Sequence, residues 1–270
     1  MNTEASKTRS GRRYRSASSV APSKRSVNYH DLRNPFPPME VFSADQVTAI
    51  HETSLRTLEE LGMKVLLPEA IEIYRKGGAR VVDDMVYIGR DMVKAALKTA
   101  PKSIQGRAGA RAKDLTFELG RMIFQPGAGA PHATDLVRGR RPASAADYIE
   151  YTKLNQHFDV LQMLSPSVEP QDVTTNVRHY FTTEAQLTLS DKFPFVFSRG
   201  TPQVIDCFEM LRDFRGVSDA EFAANPYCYT VINTNSPRTL DIPMAQGLID
   251  FAKQGQMSII TPFTLMGAMA

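Results

Sequence analysis

Four short apolar runs, at 160–164, 193–197, 228–232 and 258–261, begin 30–35 residues apart. Each is apolar throughout, the pattern of strands buried on both faces of a parallel sheet. Helical patterns fill the intervals at 172–189, 202–214 and 242–254. The repeat is that of a βα unit. Four units are half of a (β/α)8 barrel. An open doubly wound sheet would also hold them, but no Gly-rich phosphate-binding turn follows any of the runs. The expectation is an α/β chain carrying an incomplete TIM barrel over 159–270. After the fourth run no helical pattern follows to cover it. The reading therefore expects a truncated barrel, the first part of a larger enzyme, with an unpaired edge strand.

The chain ahead of the repeat divides in three. Residues 1–33 hold eight Lys/Arg against Glu4 and Asp31, a net +6, so the overall +3 leaves −3 for the rest. This Ser/Arg-rich stretch has almost no core-forming residues, and with the stiff Pro35-Phe36-Pro37-Pro38 it is read as a disordered basic tail and linker, 1–38. A nucleic-acid-binding arm is the alternative to a solvated tail, and the solvated tail is expected. Residues 39–110 read as a mostly helical module. Ser43 and Gln46 form a capping box ahead of an apolar stripe of Val47, Ile50, Leu55, Leu58 and Leu61. Pro68 opens a second helix, a hairpin over 80–88 turns at Asp83-Asp84, and a third helix covers 90–99. Residues 111–158 read as a strand at 122–124, a tight loop from Gly127 through Gly129 to Pro131, a return strand at 133–137, and a helix capped by Ser144 with Asp147.

Composition narrows the setting. With 42% hydrophobic and 23% charged residues the chain looks like an ordinary globular protein, and no apolar run approaches the ~20 residues that span a bilayer. Cys207 and Cys228 each lie in an apolar run and read as core residues, which fits a cytoplasmic location. The five histidines, His30, His51, His132, His157 and His179, form no ligand pair, so no metal site is expected. No nucleophile elbow, Walker loop or kinase signature is present.

In a βα repeat, chemistry sits in the loops after the strands. The first loop offers Glu169 and Asp172, the second Arg199, the third Asn233 and Asn235, the fourth Thr261 and Phe263. Each has a structural alternative. Asp172 is a natural helix cap, Glu169 an exposed turn residue, the two asparagines turn formers, and Arg199 a partner for a carboxylate. Gly127 and Gly129 read either as a hairpin connection or as backbone that closely approaches a ligand. No residue is assigned a catalytic role.

Several blocks carry a family resemblance. They are Phe42-Ser43 with Gln46, Ile50-His51-Glu52, Ser54-Leu55, Leu58-Glu59-Glu60 and Gly62; Gly78-Ala79; and Ala100-Pro101-Lys102. Further blocks are Gly127-x-Gly129-Ala130-Pro131, Val168-Glu169-Pro170-Gln171-Asp172-Val173, Asn233-x-Asn235-Ser236-Pro237 and Thr261-Pro262-Phe263-Thr264-Leu265-x-Gly267-Ala268. In this order they resemble the trimethylamine methyltransferase family. The resemblance implies a TIM-barrel enzyme that moves a methyl group from trimethylamine, or a quaternary amine such as glycine betaine, to the Co(I) of a separate corrinoid protein. It implies members about twice this length, with pyrrolysine, where present, in the other half. It also implies no directly bound cofactor, a cognate corrinoid protein as partner, a homo-oligomer when full length, and no membrane or nucleic-acid partner. A quaternary ammonium donates no N–H, so aromatic faces suit it, with Phe124, Tyr229 and Phe263 read either as cage residues or as core. Glu169 and Asp172 would offset the cation, and Arg199 would hold a betaine carboxylate. Two alternatives stand beside this reading: another barrel enzyme, a lyase or isomerase on a small polar substrate, and an inactive truncated fragment.

Overall fold

The computed structural model describes residues 28–262. The expectations for residues 1–27 and for Phe263 therefore lie outside the described residues. Residues 28–34, expected within the tail, do have a place: Arg33 bridges Arg121, Met122 N donates to Leu32 O, and Gln162 Nε2 donates to Tyr29 O. Backbone pairing, which needs no particular side chain, recruits this polar stretch.

Helix α1 (Ala44–Arg56) opens on the predicted capping box, with both reciprocal Ser43–Gln46 hydrogen bonds made. Its apolar stripe is buried only toward the C-terminal end. Leu55 is 2% exposed, whereas Val47 and Ile50 are 54% and 55% exposed. There follow β1 (Met63–Val65), α2 (Pro68–Lys76), the hairpin β2 (Arg80–Val82) and β3 (Met85–Tyr87), and α3 (Arg90–Thr99). Next come two antiparallel pairs, β4 (Ser103–Gly106) with β5 (Leu115–Glu118) and β6 (His132–Asp135) with β7 (Gly139–Pro142). The strand expected at 122–124 is not formed as part of a hairpin. Phe124 instead lies beside the first parallel run, its carbonyl accepting from Gln162 N and Met163 N. The partner of 132–135 is the following segment, because Asp135 accepts from the N–H of Val137 and Arg138 and closes the turn locally.

Helix α4 (Ala145–His157) carries its own capping box, Ser144 with Asp147. The repeat then runs as predicted in order: α5 (Arg178–Leu189), α6 (Thr201–Arg215), the short α7 (Asp219–Ala224), β8 (Tyr229–Ile232), β9 (Thr239–Leu240), α8 (Ile242–Lys253) and β10 (Met257–Ile260). Met163 bridges Phe193, Phe195 bridges Tyr229, and β8 pairs with β10, every contact parallel. The four runs therefore lie side by side in sequence order. The first two are joined by single bridges rather than ladders, since Pro194 and Pro166 have no N–H to donate. No closed barrel is formed among the described residues; the observed architecture is a mixed α/β fold with several small sheets.

Apolar layers cover both faces of the parallel runs. On one side Val196, Val204, Phe208, Phe222, Cys228 and Phe251 pack between strands and helices; on the other Phe193, Phe195, Tyr229 and Met257 meet the β4–β5 hairpin. Full burial of such a side chain contributes about 1.5–3 kcal/mol. Gly247 sets how closely α8 approaches: a Cβ there would stand 2.3 Å from Ser198 Cβ.

The N-terminal elements are not a separate layer. A four-stranded sheet runs β2-β3-β1-β9, so its last strand comes from the loop after β8. Leu240, Ala245, Met244 and Ile249 complete its core, and Arg238 donates to the carbonyls of Leu61 and Gly62. Among the described residues no helix is long and apolar enough to cross a membrane.

Candidate functional site

Two of the sequence candidates meet at the end of the first and second parallel runs. Glu169 Oε2 accepts from Arg178 Nη1 at 3.2 Å, and Glu169 Oε1 accepts from Arg199 Nη2. The side chains of Glu169 and Arg178 are each 14% exposed, that of Arg199 36%. Arg199 also lies over the Phe197 ring, its guanidinium carbon 3.9 Å from the centroid. This placement is the favourable cation–π geometry. One carboxylate between two arginines leaves a net charge of +1 at the strand ends, with Arg199 on the outside.

The glycine loop belongs to the same constellation. Gly129 N donates to Pro166 O and Glu169 N to Ala130 O, both at 2.8 Å. Gly129 has φ +77°, and a Cβ there would lie 3.5 Å from Glu169 Oε1. Glycine is thus the residue that adopts this backbone without strain while the loop closes over the carboxylate. Gly127 has open space around it and makes no such approach.

Arg178 anchors to the chain through Nε and Nη2, both donating to Val173 O. It can do so because α5 begins at Arg178, six residues later than the sequence predicts. Asp172 explains the delay. Its Oδ1 accepts from Ala145 N at 2.8 Å, so it closes the first turn of α4 rather than opening a helix of its own. It does not face Glu169's arginines.

Behind Arg178 lies a gap of about 20 Å³ between α5, α6 and the second run, room for about one water. His179 lines it. Its Nε2 is 2.9 Å from Asp206 Oδ2, which also accepts from Tyr180 Oη at 2.6 Å. These two partners hold the Asp206 carboxyl below its usual range. His179 Nδ1 is buried with no partner among the described residues. Cys207, in the same wall, is pushed up to about 11 by burial, which leaves a neutral thiol. Among the described residues no group of three or more His, Cys, Asp or Glu side chains gathers to hold a metal.

The remaining candidates are placed elsewhere. Asn235 exchanges backbone hydrogen bonds with Thr239, and its Nδ2 donates to Asp241 Oδ2 at 2.6 Å, so it shapes the loop that carries β9. Asn233 Oδ1 accepts from Thr261 Oγ1 at 2.5 Å, which joins the third and fourth strand ends. Tyr229 is fully buried, with its hydroxyl on Leu164 O and its pKa raised by that burial. Phe124 lies beside Gln162 and Met163, in the middle of the first run. Neither aromatic borders the Glu169 constellation. Sequence reasoning missed Arg178 and Phe197, and weighed His179 only as a metal ligand. Arg178 was hidden by a helix drawn too early, and Phe197 by its resemblance to one more strand residue.

These parallel runs, with charged side chains gathered where the strands end, define an α/β protein with its polar groups in the loops beyond the sheet. The sequence profile of trimethylamine methyltransferase (MTTB) matches residues 8–270, and the chain belongs to that family. It is 29% identical over 237 residues to glycine betaine methyltransferase of Desulfitobacterium hafniense (strain Y51), covering 86% of this chain and 48% of that protein. It is 24% identical over 217 residues to trimethylamine methyltransferase MttB of Desulfitobacterium hafniense (strain DSM 10664 / DCB-2), covering 79% and 44%. A third relative, L-carnitine:corrinoid methyltransferase of Eubacterium limosum, is 29% identical over 124 residues, 46% and 25% of the two chains. The chain spans about half the length of the first of these relatives.

Proposed function

We propose that this chain serves a corrinoid-dependent methyltransferase whose substrate is a quaternary amine bearing a carboxylate. The observation that carries the reading is the half-exposed Arg199 guanidinium, held on Phe197 and by one side of Glu169. An arginine fixed in this way offers its outer edge to a second carboxylate in a preorganised fork. The +1 balance of the three charged groups favours an anion there. On this reading Glu169, shared by two guanidiniums, and Asp172, which caps α4, do not offset the ammonium, unlike the roles expected from their positions in the strand-end loop. Names of relatives acting on glycine betaine and L-carnitine support a substrate of this type.

On this reading the four parallel runs are the first strands of a (β/α)8 barrel spanning 159 onward. Their order along the sheet follows the sequence, as in a barrel, where a doubly wound sheet would reverse direction at a switch point. The bound amine's methyl carbon would be attacked in line by Co(I) of a partner corrinoid protein, with the amine as the leaving group. The new C–Co bond takes the cobalt electron pair, and the N–C pair stays on the departing amine. Such a step needs placement more than proton transfer, and the Arg199–Glu169–Arg178 group provides a rigid anchor for the carboxylate end. The setting is cytoplasmic, where a Co(I) partner is kept reduced.

The test is Arg199→Gln in the protein assembled with its corrinoid partner, following conversion of Co(I) to methyl-Co(III) by absorbance. KM for glycine betaine rises about tenfold or more, the equivalent of one charge-assisted hydrogen bond, while that for trimethylamine, which has no carboxylate, stays put. Equal effects on both substrates, or on neither, would reject the assignment.

A further inference from the structure

At the other end of the parallel strands, the C-terminus of α6 and the loop entering β8 meet the β4–β5 hairpin around an open polar cleft of about 460 Å³. Three arginines line it: Arg107, Arg111 and Arg215. Two carboxylates line it as well, and both are engaged. Asp114 accepts from Arg107 Nη1 and from Ala108 N, each at 2.9 Å, and Glu221 accepts from Tyr227 Oη at 3.0 Å. Arg215 is different. Its Nε is buried without a partner among the described residues, and burial lowers its pKa. A buried donor left unmet costs about 1–3 kcal/mol, more when it carries charge. An exposed Arg111 beside it adds a second guanidinium to the same cleft.

We propose that this cleft is a binding site for a phosphate-type oxyanion, gripped by Arg215 with Arg111 at its rim. The planar guanidinium fork matches phosphate oxygens in a bidentate fashion. The cleft falls within the ~300–1,000 Å³ range of small-molecule sites and is larger than inorganic phosphate requires, so it has room for the organic group of a phosphate monoester. The site lies at the opposite end of the strands from Glu169 and is independent of the methyl-transfer reading.

The experiment is thermal unfolding and titration calorimetry of the 270-residue chain with inorganic phosphate, with AMP as a monoester, and with sodium chloride at matched ionic strength. Phosphate compounds give a saturable rise in Tm that chloride does not. AMP binding about tenfold or more tighter than inorganic phosphate identifies a monoester; equal affinity identifies the free ion and overturns that part of the assignment. Arg215→Met exchanges a half-buried cation for an apolar chain of comparable length, a type of change that folded proteins tolerate. It removes the saturable response. Arg111→Gln, on the surface, keeps the fold and weakens binding about fivefold. An unsaturating rise shared equally by wild type and Arg111→Gln is the general exclusion effect of phosphate salts and would overturn the site.

Discussion

Replacing Glu169 by glutamine keeps the size of the side chain and removes the one negative charge between Arg178 and Arg199. The two arginines do not suffer alike. Arg178 is 14% exposed and would be left as an almost buried cation, held by Val173 O and by no carboxylate. Removing one member of a buried pair costs about 3–5 kcal/mol. The residual exposure and the amide oxygen of glutamine, which still accepts one hydrogen bond, reduce that to about 2 kcal/mol. Arg199, 36% exposed and stacked on Phe197, adds less than about 1 kcal/mol. With a urea dependence of about 3 kcal/mol per molar, Glu169→Gln should lower the unfolding midpoint by about 0.7 M. Arg199→Gln should lower it by no more than about 0.3 M. The double variant Glu169→Gln with Arg178→Met should recover most of the loss, because the stranded cation is gone. If Glu169→Gln unfolds within about 0.2 M of wild type, or if Arg199→Gln is the costlier single change, the carboxylate is not the buried centre of this group.

Two more outcomes follow from packing and charge. Gly247→Ala would push a methyl to within 2.3 Å of Ser198 Cβ, an atom bonded directly to the backbone; a loss of about 2 kcal/mol is expected in chemical unfolding, from overpacking, although alanine is the better helix former. Lys192 is 2% exposed, donates to the carbonyls of Asn155 and Phe158 at the end of α4, and is lowered by burial from 10.5 to about 8. Between about pH 8 and 10.5 the unfolded chain binds the extra proton, so this group makes stability rise with pH across that window, by at most about 3 kcal/mol. Below pH 8 both states hold the proton and the contribution is flat. Urea melts at pH 7.5 and 10 should show that rise in wild type and its loss in Lys192→Met; matching pH profiles would contradict the burial argument.

Much of the fold is written locally. The capping boxes at Ser43 and Ser144, Pro68 at the start of α2, the 80–87 hairpin and the spacing of the βα repeat all depend on groups within a few residues of each other, so periodicity and cap chemistry expose them. The candidate site was partly legible for the same reason. Glu169, Arg199 and Gly129 follow or face strand ends, and the repeat indicates where strands end. Arg178 was not legible, because a helix start at Asp172 and one at Arg178 fit the local pattern equally well. The difference is made by Ala145 N, which takes the Asp172 carboxylate from another element.

The amino-acid sequence alone determined the α/β repeat, the burial of its strands and the family to which the chain belongs. The tertiary structure decided who pairs with whom. It put Glu169 between two arginines, turned Asp172 to a neighbouring helix, sank Tyr229 into the core, and took β9 from a strand-end loop to finish the sheet begun by β1. The physical reason is range. Caps and periodicity act over one helical turn or one strand, whereas an ion pair or a sheet edge selects its partner from whatever the packed layers bring within about 3 Å.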